Sequence, residues 1–370
     1  MDTEPKKILI LHASAGDGHR KAAEVMGHAA RRLYPSANVE VLDALDFTPA
    51  WFKRFYVGLY IFLIHSWPGV WGLSYEFSDN PILGAATPLL RRAMNGLMCR
   101  ALERKILSSG ADVVYSTHFM VSEVCAHLKR RGLRSKTVTV ITDFLVHRFW
   151  VFHETDAYSV AVERTKKVLV KFGIPEERIR VTGIPIDPKF GQAADRAALA
   201  SKLGLDAKRF TALVTSGGSG AGPMQRVVDI ILNEPDTQVL MVCGRNRELE
   251  SQMRELAKTK PSLKPFGFVS NMDELMDCSD AIIGKAGGIT LSESLAKRKP
   301  FFILSPVPGQ ETRNAIVLTD CGAAVWIRDL FQLSLEIRAL RAGGQARMLA
   351  AIDEARRPKS AEEAVSTGKA

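Results

Sequence analysis

Cysteine is scarce in this chain: five in 370 residues, an odd number, scattered and without a CxxC pair. Cys99, Cys125, Cys243, Cys278 and Cys321 therefore suggest neither a disulfide framework nor a zinc site, and a reducing compartment fits them best. Long apolar runs are missing too. The longest candidate, Phe55 to Trp71, is interrupted by His65 and by Pro68-Gly69, so the chain is not expected to span a membrane, and lying on one stays open. The N-terminus is charged and runs directly into a candidate strand, Lys7–Leu11, which does not read as a secretory leader. No GxxxxGK[ST] loop and no GxGxxG fingerprint occur, which disfavours ATP hydrolysis and dinucleotide binding. Zinc-finger, RNP-type and helix-turn-helix signatures are also absent, so nucleic acid is not an expected partner.

What is present is an ordinary globular composition, 46% hydrophobic and 24% charged, in a chain long enough for two cores. A net charge of +10 permits anionic lipid or phosphorylated substrates without choosing between them.

The opening residues read as strand, turn and helix. Ile8–Leu11 suits a parallel strand buried on both faces. Ala22, Val25, Met26, Ala29, Ala30 and Leu33 then form one helical stripe, and Val39–Leu42 reads as the next strand. Further strands are expected at Val113–Ser116, Thr137–Ile141, Ala157–Val160 and Arg180–Thr182. A second series is expected at Thr211–Thr215, Gln238–Cys243, Pro265–Val269, Ala281–Ile283 and Phe301–Leu304. This rhythm predicts an α/β architecture of parallel sheets. The turn-rich Gly183–Pro188 reads as a linker, and Ala361–Ala370 as a frayed end.

Three glycine-rich turns fall between a strand and a helix, where free N–H groups favour anions. Gly16-Asp17-Gly18-His19 places a histidine in the first helical turn. A helix N-terminus keeps such an imidazole neutral and able to accept a proton; by position alone, catalytic and structural roles are equally supported. Gly217–Pro223 has more glycine than a plain turn needs, which favours a phosphate cradle. Gly284-Lys285-Ala286-Gly287-Gly288-Ile289-Thr290 leads into a helix carrying Glu293, which could reach ribose hydroxyls or be merely solvated.

With these residues in hand, the chain resembles the lipid-directed branch of the GT28 glycosyltransferases, the monogalactosyldiacylglycerol synthases and processive diacylglycerol glucosyltransferases. Phe266-Gly267-Phe268-Val269, Lys285–Gly288, Thr290, Glu293 and Pro308-Gly309-Gln310-Glu311 follow the family's donor pattern in order. Gly16–His19, Thr142-Asp143-Phe144, His147 and Trp150 match its N-terminal half. The resemblance implies a GT-B fold, two Rossmann-like domains facing across a cleft. It implies inverting transfer of glucose or galactose from a UDP-sugar to diacylglycerol or a related lipid, without a bound metal or cofactor. Residues 1–187 would bind acceptor and membrane, residues 188–345 the UDP-sugar, and residues 346–370 would form a helix and tail able to pack back on the first domain. His19 would be the base. Phe268 and Val269 would hold uracil, Glu293 the ribose, and Gly218, Ser219, Lys285, Gly288, Ile289 and Thr290 the diphosphate region. Gln310 and Glu311 would contact the sugar.

The aromatic segment from Phe47 to Phe77 then gains a meaning beyond core packing. Trp51, Phe55, Tyr56, Trp67 and Trp71, with Arg91 and Arg92 nearby, suit an anionic membrane surface, each basic residue adding about 1 kcal/mol. Gly18, Asp143, His147 and Trp150 complete the expected acceptor side, at the cytoplasmic face of the cell membrane. Two other readings compete: a UDP-GlcNAc-dependent lipid-I glycosyltransferase, which shares the donor pattern, and a non-catalytic UDP-sugar-binding membrane protein.

Overall fold

The computed structural model describes residues 4–80, 82, 87–216 and 223–369. Two compact units emerge: one takes the chain up to Asp187 together with Val307–Arg313 and Lys359 onward, the other Pro188–Pro306 and Asn314–Pro358.

The first unit contains β1 (Lys7–His12), α1 (Asp17–Leu33), β2 (Asn38–Asp43), α2 (Ala50–Ser66), α3 (Pro68–Asp79), α4 (Thr87–Met98) and α5 (Arg100–Ser109). It continues with β3 (Val113–Ser116), α6 (Phe119–Arg130), β4 (Lys136–Val140), β5 (Ala157–Val160), α7 (Glu163–Lys171) and β6 (Ile179–Val181). Its six strands lie in the order β2-β1-β3-β4-β5-β6, all parallel. Strand period two sorts β1: Ile8 and Ile10 join α1 in one core, Leu9 and Leu11 join α5 and α6 in another. Each such aliphatic contributes about 1.5–3 kcal/mol by leaving water.

The second unit contains α8 (Arg196–Leu203), β7 (Phe210–Thr215), α9 (Met224–Asn233), β8 (Thr237–Val242), α10 (Arg247–Thr259), β9 (Leu263–Phe266) and α11 (Met272–Cys278). β10 (Ala281–Gly284), α12 (Gly288–Ala296), β11 (Phe301–Ile303), α13 (Gln310–Asp320), β12 (Val325–Trp326), α14 (Leu330–Arg341) and α15 (Ala346–Ala355) follow, α13 starting within the first unit's Val307–Arg313. The order is β12-β11-β10-β7-β8-β9, again all parallel.

In each sheet the strand order reverses once, between β1 and β3 and between β7 and β10. Doubly wound sheets bind ligands at such switch points, beyond the carboxyl ends of the strands. Gly284 shows how closely the second pair approaches: a Cβ there would lie 2.7 Å from the Thr215 methyl.

One expectation needs correction. The C-terminal end is not frayed. α16 (Ser360–Ser366) buries Ala361, Ala364 and Val365 in the same core as Ala23 and Met26, and the Tyr115 hydroxyl donates to the Val365 carbonyl. Small side chains at helical spacing let α16 lie close on α1. The turn-rich Gly183–Pro188 contains the division between the two units, at Asp187 and Pro188, with Ile184 and Ile186 buried.

Candidate active site

The first switch point carries His19. α1 begins at Asp17, directly beyond β1, and puts His19 in its first turn. Thr117 follows β3 and Thr142 follows β4. The His19 ring Nδ1 lies 2.6 Å from the Thr117 carbonyl oxygen and 3.0 Å from Thr142 Oγ1. A carbonyl oxygen can only accept, so Nδ1 carries the proton and, in the neutral ring, Nε2 carries the lone pair. Thr117 also reaches back, its Oγ1 donating to the His19 carbonyl at 2.9 Å. Burial drives the His19 pKa down to about 4; the Thr117 bond pulls it up and the nearby His12 lowers it further. The sequence expectation of a neutral imidazole holds, but the cause is desolvation.

Aromatic rings line this corner. His118 meets His19 edge-on at 4.7 Å, Trp150 lies 6.1 Å from His19, and Tyr56 lies 6.3 Å from His118. Gly18 and Asp143 are half-buried beside them in sequence. Asp143 acts through its charge: Tyr60 is pushed up to about 12 by burial, then by Glu311 and Asp143.

His147 belongs to a different arrangement. The Phe149 N–H donates to its Nδ1 at 3.0 Å, so its Nε2–H donates to the Tyr75 carbonyl, also at 3.0 Å. Both nitrogens are engaged and the residue is 1% exposed. It fastens α3 and has no ring atom left for an acceptor. Around it, Arg313 grips Glu76 and Asp79, and Trp71 Nε1–H donates to Gln310 Oε1 at 3.1 Å. Gln310 Nε2 in turn donates to the Tyr60 hydroxyl at 3.0 Å, and Glu311 accepts the Val307 N–H at 2.8 Å. Gly72 permits the approach, since a Cβ there would meet the Pro308 side chain at 2.5 Å.

The outer faces of α2 and α3 are apolar and bare. Twelve of the eighteen exposed large apolar side chains among the described residues lie between Trp51 and Leu97, including Phe55, Phe62, Trp67, Leu73 and Phe77. Such a concentration marks an interaction surface. The basic residues beside it are not all available. Arg91, expected at a membrane, is 12% exposed, donates to the buried Glu123 at 2.8 Å and stacks on Phe149. Arg92 is 54% exposed, and Arg100 and Arg104 are exposed as well.

In the second unit, Gly218 and Ser219 lie outside the described residues. The other glycine turn is described: Gly287 caps α12, so the N–H groups of Gly288, Ile289 and Thr290 open the helix without upstream carbonyl partners. Lys285 is half-buried just before them. Glu293 is not solvated: it is 7% exposed, because α12 is buried on nearly every side, its serines included. Phe268, two residues beyond β9, is 65% exposed and partly stacked by Arg245; Val269 is half-buried.

Residues 19–186 match the family described as monogalactosyldiacylglycerol (MGDG) synthase, and residues 211–363 the glycosyltransferase family 28 C-terminal domain. The processive diacylglycerol beta-glucosyltransferase of Bacillus thuringiensis (strain Al Hakam) is 30% identical over 375 positions, covering 98% of this chain and 92% of the relative. Among solved structures, MurG of Acinetobacter baumannii aligns with a TM-score of 0.59 at 15% identity, over 98% of this chain and 99% of that one. Anabaena Alr3699/HepE in complex with UDP-glucose aligns with a TM-score of 0.57 at 14% identity, over 98% of each chain. These likenesses establish the GT-B fold.

Proposed function

Since the chain belongs to the lipid-directed family 28 glycosyltransferases, we propose that it transfers glucose or galactose from a UDP-sugar to diacylglycerol, inverting the anomeric centre. The observation that carries this reading is the His19 tautomer, which leaves Nε2 as the proton acceptor at the switch point of the first sheet. Nε2 takes the proton of the acceptor hydroxyl while the hydroxyl oxygen attacks the anomeric carbon. The bond from that carbon to the UDP phosphate oxygen breaks, and UDP leaves with the electron pair. An α-linked donor therefore gives a β-glycolipid, and His19 returns its proton to water.

Donor binding in this proposal follows the family pattern. Gly218, Ser219, Gly288, Ile289 and Thr290 take the diphosphate, with Lys285 in the same loop; helix-start N–H groups stabilise the departing phosphate charge. Glu293 takes the ribose, the backbone at Phe268 and Val269 the uracil, and Gln310 and Glu311 the hexose.

The acceptor cannot leave its bilayer cheaply, at about 0.8 kcal/mol per CH₂ exposed. No helix among the described residues is long and apolar enough to cross a membrane, so the enzyme comes to the lipid. The bare faces of α2 and α3 dock on the bilayer, Trp51, Phe55 and Trp67 entering the interface, with Arg92, Arg100 and Arg104 drawn to anionic headgroups. The cytoplasmic face of the cell membrane is the proposed location, and the five cysteines, all free, suit its reducing side. Expression in a host lacking glycolipids, with either UDP-sugar supplied, tests the reading. A new hexosyl-diacylglycerol is expected; unchanged lipids would refute it.

A further inference from the structure

A histidine base commonly has a carboxylate behind it, holding one ring nitrogen as donor so that the other can accept. No carboxylate hydrogen-bonds to the His19 ring among the described residues. Two oxygens occupy that place: the Thr117 carbonyl at 2.6 Å and Thr142 Oγ1 at 3.0 Å, both toward Nδ1. We propose that Thr117 and Thr142 are the positioning residues of His19, together doing what a carboxylate does elsewhere. The inference rests on His19 being the base.

Thr117 works at two points. Its Oγ1 donates to the His19 carbonyl at 2.9 Å and fixes the first turn of α1; its own carbonyl accepts from Nδ1 and fixes the ring. The Thr117 backbone is anchored in turn, its N–H donating to the Leu11 carbonyl at 3.0 Å. β1 and β3, adjacent across the switch point, thus hold the base between them. Thr142 adds the second acceptor. With Nδ1 already a donor toward Thr117, the Thr142 oxygen accepts the same proton in a three-centre bond.

Neutral oxygens suit this corner better than a carboxylate would. Thr117 is fully buried and Thr142 nearly so, and an isolated ionised carboxylate there would be costly to desolvate. When Nε2 takes the acceptor proton, the ring becomes a cation next to His12 and His118, with Asp17, Arg20 and Glu24 on its own helix and Asp143 beside Thr142. Hydrogen bonds from charged donors are the stronger ones, so both oxygens bind the imidazolium more tightly than the neutral ring. Their contribution therefore appears in turnover and leaves donor affinity alone.

The test compares Thr117→Val and Thr142→Val, each with its serine counterpart, in the full chain. Readouts are kcat and KM for diacylglycerol transfer, UDP affinity by calorimetry, and ¹⁵N chemical shifts of the His19 ring, assigned by difference from His19→Gln. Thr142→Val should lose about tenfold in kcat, the worth of one hydrogen bond to a charged group. Thr117→Val keeps its carbonyl on Nδ1 and removes only the Oγ1 bond to the His19 carbonyl, so its loss should be smaller, about threefold. UDP affinity should not change, the His19 ring shifts should move while the Thr117 carbonyl keeps the proton on Nδ1, and both serine variants should restore the wild type. Thr142→Val keeps the test decisive if Thr117→Val fails to fold. A wild-type Nε2–H tautomer, or valine variants with unchanged kcat and ring shifts, would overturn the positioning role. If His19→Gln itself turns over normally, the base assignment fails instead, whatever the threonine variants do.

Discussion

Two regions of the first unit are built from the same residue types, histidines and large aromatics, and differ in what water reaches. At the His19 corner the rings face inward, and burial holds the imidazole neutral with one nitrogen unengaged. Along α2 and α3 the rings face outward: Trp51, Phe55 and Trp67 are each more than half exposed. One region turns its rings away from water; the other leaves apolar side chains exposed in a concentration that marks an interaction surface. His147 stands between them, more deeply buried than the half-buried His19 and with both nitrogens engaged in holding α3. Residue type alone thus decides little, and the partners decide the role.

The comparison breaks most sharply at His19. His19→Ala should lower transfer at least a hundredfold, the usual contribution of a positioned base, in both vesicle and detergent assays, with UDP affinity by calorimetry unchanged. Next comes the outer face. Replacing Trp51, Phe55 and Trp67 together by serine should lower transfer to vesicle-borne diacylglycerol about tenfold to a hundredfold. A soluble short-chain acceptor should be used as before, because the reacting corner is intact. Equal losses on both acceptors would merge the two regions into one.

Acidification separates them in another way. His19 and His147 titrate near 4 when folded against an ordinary 6.5. The unfolded chain therefore binds protons first as pH falls. Their neutral burial costs nothing above pH 6.5, and stability is lost between 6.5 and 4, on the order of 3 kcal/mol per histidine. Urea midpoints across this window should fall with pH, and less steeply in His147→Ala relative to its own neutral value. In the second unit, Glu293→Ala should weaken UDP-sugar binding by about 1.5–3 kcal/mol; its burial adds a measurable loss of stability that a surface glutamate would not show. The smallest effect belongs to Arg92→Gln, about 1 kcal/mol of binding to anionic vesicles, disappearing at high salt.

Much of the fold was legible because parallel strands and amphipathic helices announce themselves locally. The apolar run Ile8–Leu11 and the α1 stripe gave strand and helix their positions. β12 escaped notice because Val325–Trp326 is two residues long. What local pattern does not carry is strand order. Thr117 follows a strand that was expected, but only the adjacency of β1 and β3 brings it to His19, ninety-eight residues away. Arg91 looked like a surface cation until Glu123, thirty-two residues on, became its partner. The C-terminal helix has a local signal, since Ala361, Ala364 and Val365 repeat at helical spacing. The burial of Glu293 has none, because α12 carries Thr290, Ser292 and Ser294 and is covered by its neighbours all the same.

Inverting transfer to diacylglycerol with His19 as base leaves its mark on the product, and product analysis reads it. The protein is incubated with diacylglycerol vesicles and UDP-glucose or UDP-galactose labelled at the anomeric carbon, and the lipid fraction is read by NMR. Label is expected in a β-linked hexosyl-diacylglycerol from at least one donor, formed one for one with UDP and lost in His19→Ala. An α-linked product, or UDP release that yields free hexose and no glycolipid, would contradict it.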